Sequence, residues 1–122
     1  MIEKTDVKPD TFAPAFDARN LQMLESVLGR ERFLSAIERF KCELEMRISA
    51  ITERSTRATE KGAHAHKLVG TAGVMGLREL ADASRRLELA VVQKGDLQLC
   101  VDSLVAAANR ARAELEVLSV AK

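Results

Sequence analysis

His66 stands inside a frame of glycines: Gly62 lies four residues before it, Gly70 four after and Gly73 seven after. On a helix, where each residue turns by about 100°, these positions share one edge. With Ala65 at zero, the apolar face of Ala65, Leu68 and Ala72 centres at about −30°, while Gly62, Gly73, His66 and Gly70 fall at about 60°, about 80°, about 100° and about 140°. Ala63 belongs to the same side. A glycine in a helix interior gives up ~1 kcal/mol relative to alanine, so Gly62, Gly70 and Gly73 together forgo roughly 3 kcal/mol of helix propensity. An imidazole cleared of neighbours in this way can be approached at its ring nitrogen by another surface. A neutral imidazole nitrogen is a nucleophile able to carry a phosphoryl group. The same glycines also suit a second arrangement, in which a neighbouring helix packs closely and His66 hydrogen-bonds beside it.

The other chemically capable residues form no comparable constellation. His64 lies about 200° around the helix from His66, so the two cannot share one metal ion, and His64 is expected at the solvated surface. Cys42 and Cys100 make no C-x-x-C pair and are expected as two buried, reduced thiols. Two cysteines and two histidines without ligand spacing argue against zinc. The phosphate-cradling and nucleophile-elbow motifs are missing, which argues against an autonomous nucleotide-using enzyme.

Composition narrows the classes further. The 122 residues suit one domain, and 47% hydrophobic with 30% charged residues suits a folded chain that is neither disordered nor membrane-embedded. A net charge of +1 gives no field to attract nucleic acid or an anionic membrane. Aromatic residues are 3%, with no Trp or Tyr, which removes the usual base-stacking platforms. No apolar run approaches the ~18 residues of a membrane span. Met1–Asp10 is polar and lacks the apolar core of a signal peptide, so a cytoplasmic location is expected.

The elements that must position His66 read as helices throughout. Both prolines, Pro9 and Pro14, fall in a lead-in expected to be flexible over 1–15, and a single bundle domain is expected over 16–122. Asp17 can cap a short helix that ends at Leu28 and Gly29. A long helix is expected over 30–53, with Phe33, Ile37, Phe40, Leu44, Ile48 and Ile51 on one face. The helix carrying His66 spans 57–74 and buries Ala65, Leu68 and Ala72, with Met75 following on. A fourth spans 77–94 with Leu77, Leu80, Ser84, Leu87 and Val91 on one side. Gly95 is expected to close it and Asp96 to cap the last helix, whose stripe runs Leu97, Val101, Leu104, Ala108, Ala111, Leu115, Leu118. Four such amphipathic helices with short connections predict an all-α, antiparallel up-down-up-down four-helix bundle with a short additional N-terminal helix. Gly76 is read as the stop that turns the His66 helix into the next one.

The run Ala65-His66-Lys67-Leu68-Val69-Gly70-Thr71-Ala72-Gly73-Val74-Met75-Gly76, followed by Leu80-Ala81 and Leu87-Glu88, resembles the histidine-containing phosphotransfer (HPt) domain. The match takes in the histidine, the leucine two later, the glycines four and ten later and the closing Leu-Glu pair. The resemblance implies a four-helix bundle that relays phosphoryl groups between its histidine and aspartates of response-regulator receiver domains, or from a hybrid sensor histidine kinase. His66 then matches the phospho-acceptor, Gly70 the small residue that opens the approach, and Glu88 the residue that hydrogen-bonds and orients the ring. Gly62, Ala63, Lys67, Val69 and Gly73 would border the docking face. The family usually carries a lysine three residues after the histidine, where this sequence has Val69; Lys67, Lys61, Arg85 or Arg86 are the candidate cations instead. No cofactor is expected on this chain, the Mg²⁺ belonging to the receiver, and nothing in the sequence demands more than a monomer. The competing reading is a non-catalytic interaction bundle, a degenerate relative that binds partners without being phosphorylated.

Overall fold

The computed structural model describes residues 18–120. Five helices follow one another: α1 (Ala18–Leu28), α2 (Arg30–Thr52), α3 (Ala58–Val74), α4 (Arg78–Gln93) and α5 (Leu97–Val120). The expected bounds of the middle three agree to within one residue. The expected lead-in over 1–15 and the Asp17 cap lie outside the described residues. No strand occurs among the described residues, and none of their helices is long and apolar enough to cross a membrane.

Each of the four helices α2 to α5 is set by the apolar stripe read from the sequence. All six α2 positions are buried, with Ile37, Leu44 and Ile51 fully so. They meet Ala65, Leu68 and Ala72 of α3, Leu80 and Leu87 of α4, and Leu104, Ala108, Ala111 and Leu115 of α5 in one core. Helices α2 to α5 pack as a closed ring in which each touches the next and α5 returns to α2. The four form the bundle, and the alternating direction expected from the sequence fits connections this short. The short α1 packs on α2 through Leu21 and Leu24, and its Asn20 side chain donates to the Val74 carbonyl at the end of α3 (2.6 Å).

Where the chain turns, backbone chemistry explains most of the stops. Gly29 takes φ +86° between α1 and α2, a conformation a Cβ would disfavour. Gly76 takes φ +75°, and its neighbour Leu77 donates back to the Ala72 carbonyl (2.8 Å) while Gly76 itself donates to Gly73 (3.1 Å). That pair of bonds satisfies the last carbonyls of α3 and turns the chain into α4. At the end of α4 the expected residue is wrong by one. Lys94, not Gly95, takes the left-handed conformation (φ +56°), and Gly95 donates to the Ala90 carbonyl (2.9 Å). Gly95 therefore takes part in closing the helix, with the positive φ carried one residue earlier. Asp96 caps α5 as expected, its Oδ1 accepting from the Leu99 N–H (3.0 Å).

One further expectation changes. Cys42 is exposed on α2 and Cys100 is half-buried against the core, so the cysteines are free but not the buried pair predicted. Ser84 does lie on the buried side of α4, fully enclosed, and its hydroxyl has no hydrogen-bond partner among the described residues.

Candidate functional site

The burial of Ala65, Leu68 and Ala72 fixes how α3 is rotated. His66 is carried to the outer edge of the helix, where its side chain is 70% exposed. On α4, the buried Leu87 fixes rotation in the same way and brings the adjacent Glu88 to the α3 side. Glu88 Oε2 lies 2.7 Å from His66 Nδ1. A carboxylate only accepts, so Nδ1 carries the hydrogen and donates it to Glu88. In the neutral ring Nε2 then keeps its lone pair on an exposed edge, the tautomer that makes it nucleophilic.

The glycine frame divides. A Cβ built at Gly70 or Gly73 would meet nothing within 4 Å, so both leave open space beside His66. Gly62 does not share that edge. It is buried, and a Cβ there would meet Val91 of α4 at 3.4 Å. The access role read for Gly62 is thus corrected: α4 runs alongside this end of α3, and the missing side chain lets the two helices close. Close packing and open access, the two arrangements left by the sequence, are both present on one helix, at different glycines.

The remaining predicted positions spread around this site. Ala63 and Lys67 are exposed, while Val69 is half-buried. His64 is not simply solvated. It is half-buried and its Nδ1 accepts from an Arg47 guanidinium N–H (3.0 Å), while Arg47 also donates to Glu43 (2.9 Å). Of the candidate cations, Lys61 is occupied elsewhere, donating to the Glu53 carbonyl (2.8 Å) and to the Ile51 carbonyl at the end of α2. Arg85 is paired with Asp82 on its own helix (3.1 Å).

Beside His66, helices α2 and α3 part to form a groove of about 720 Å³. Its lining combines Ala36, Phe40, Gly70 and Met75 with the charged Arg39, Glu43 and Lys67. Val74, exposed at its edge, and Arg39 were missed in the sequence. Val74 follows His66 by eight residues on the same helix, and Arg39 adjoins the buried Phe40, so their places could have been read from the two helical wheels together. Among the described residues, no group of three or more His, Cys, Asp or Glu is arranged to hold a metal ion.

Fold and site define a helical-bundle domain that presents one exposed, carboxylate-backed imidazole. The family model described as Hpt domain matches residues 31–120, and the chain belongs to that family. A phosphotransfer-type role in two-component signalling comes with membership, and receiver domains or kinases are the family's partners. No curated protein and no solved structure gives a significant match.

Proposed function

We propose that this chain is a phosphoryl carrier in which His66 Nε2 accepts the group from an aspartyl phosphate of a docked receiver domain and returns it to another receiver's aspartate. The observation that carries this reading is the 2.7 Å contact between His66 Nδ1 and Glu88 on an exposed ring. The step balances without an external base. The Nε2 lone pair forms the N–P bond as the P–O bond of the acyl phosphate breaks, and the electron pair leaves with the aspartate carboxylate. The proton on Nδ1 stays in place, and Glu88 balances the positive charge that develops on the ring.

Access at Gly70 and Gly73 and apolar area at Val74 suit a docking partner that must bring its acyl phosphate to the ring nitrogen. Mg²⁺ and the other groups that polarise the phosphoryl would come from the receiver. Incubation with a phosphorylated receiver domain should transfer label to this chain in an acid-labile, alkali-stable form, and His66→Gln should abolish it. Full labelling of His66→Gln, or no labelling of the wild type by any receiver domain, would favour the non-catalytic interaction bundle.

A further inference from the structure

A phosphoryl group on Nε2 would bring about two negative charges next to the Glu88 carboxylate, which already holds the other face of the ring. Like charges this close oppose one another unless a cation lies within reach. Three of the cations read from the sequence do not answer this need: Lys61 is bound at the end of α2, Arg85 is paired with Asp82, and Arg86 is exposed on α4 and does not line the groove. The groove beside His66 holds two others. Arg39 comes from α2 and Lys67 from α3, and both line the same groove as His66 and Gly70. Both are exposed, and neither side chain has a hydrogen-bond or ion-pair partner among the described residues. The one carboxylate in the groove, Glu43, is engaged by Arg47 (2.9 Å) and leaves the two cations unneutralised.

We infer that Arg39 and Lys67, on opposite walls of the groove, hold the charge of the phosphoryl group on His66, and that this pairing of a side chain from α2 with one from α3 sets both the ease of transfer and the ionisation of the bound phosphoryl. The inference rests on the phosphoryl-carrier reading above. Arg39 brings a planar fork suited to two phosphoryl oxygens, and Lys67 a mobile point charge. Open space at Gly70 leaves room for the group between them. The side chains carry no new bond-making step. They stabilise the transferring group electrostatically while the N–P bond forms and the P–O bond breaks as already described.

The test loads the full chain with phosphoryl from phosphoramidate, a small donor that needs no docking, and follows the phosphohistidine by phosphorus NMR across pH. Transfer from a phosphorylated receiver domain is timed in parallel. Arg39→Gln with Lys67→Gln should raise the pH at which the bound phosphoryl takes up a proton and slow receiver transfer by about tenfold, with each single variant giving part of the effect. Arg39→Lys should restore most of the loss, because the charge returns without the fork. A double variant with wild-type titration and wild-type transfer, while His66 still loads, overturns the assignment of these cations and leaves the carrier reading standing. A wild type that never loads on His66, from either donor, overturns both.

Discussion

Two histidines stand two residues apart on α3, and their partners give them opposite chemistry. His66 donates from Nδ1 to the Glu88 carboxylate and keeps its Nε2 lone pair on an exposed ring. His64 accepts at Nδ1 from the Arg47 guanidinium, so in the neutral ring the hydrogen sits on Nε2 and no free lone pair remains. The residue type is the same and the helix is shared, but the two rings face different neighbours. The sign of the group that meets Nδ1 differs, and that sign decides which ring can act as a nucleophile. A carboxylate also balances the charge that a substituted imidazole acquires, whereas a guanidinium would oppose it.

The comparison can be broken most severely at the partners themselves. Glu88→Ala should slow phosphoryl transfer to His66 by ~10–100-fold, the usual cost of removing a group that orients a reactive imidazole. Arg47→Met should slow transfer far less, by about threefold at most and only through the Glu43 carboxylate it releases into the groove, since its hydrogen bonds go to His64 and Glu43 and not to His66. Stopped-flow or timed quench of receiver-to-chain transfer reads both. An Arg47 effect as large as that of Glu88 would mean that the two histidines are not separate.

A smaller contrast lies in the glycines. Gly62→Leu forces a side chain against Val91 and should destabilise the fold by ~1–3 kcal/mol, as overpacking does. Gly70→Leu enters open space, so stability should hold or rise by up to ~1 kcal/mol from helix propensity, while transfer slows because the approach to His66 narrows. Thermal melts beside transfer rates separate the two. Equal stability losses at both positions would erase the division between a packed and an open glycine.

The smallest effect belongs to the flank between α2 and α5, where an ion pair involves neither histidine's partner. The Glu116 carboxylate, hydrogen-bonded to Lys41 at 2.8 Å, raises the ammonium above its ordinary value of 10.5 against some burial, with Glu38 adding to it. A raised folded value contributes stability that is present below the ordinary value and is lost as pH rises through the higher one. Lys41→Met should therefore cost at most ~1 kcal/mol at neutral pH, and the gap to wild type should close in alkaline solution above 10.5. Denaturant unfolding at several pH values measures it, with transfer unchanged.

The fold was legible because four apolar stripes at helical spacing leave few ways to bury themselves, and Gly29, Gly76 and Asp96 mark helix boundaries in the expected places. His66 and Glu88 were legible for a related reason: each is one residue from a buried position, so the core fixes where it points. Gly62 was misread because a single helical wheel gives an angle but not which neighbour covers that angle at each height. Only the course of α4 past Val91 distinguishes the buried glycine from the open ones. The same limit hid Arg39, which reaches the groove from a helix separated from His66 by a turn, and the Arg47–His64 contact, which joins two helices. Lys94 shows a local limit, because the expected glycine was present but the backbone turned one residue sooner.

The tautomer at His66 decides which ring nitrogen can take a phosphoryl group, and the position of that group on the ring tests it most directly. Nitrogen-15 NMR of the phosphorylated, ring-labelled chain can identify the nitrogen bonded to phosphorus and the one that still carries hydrogen. The bond should form at Nε2 of His66, with Nδ1 protonated and still bonded to Glu88. A phosphoryl on Nδ1 of His66, or on His64, would contradict the account.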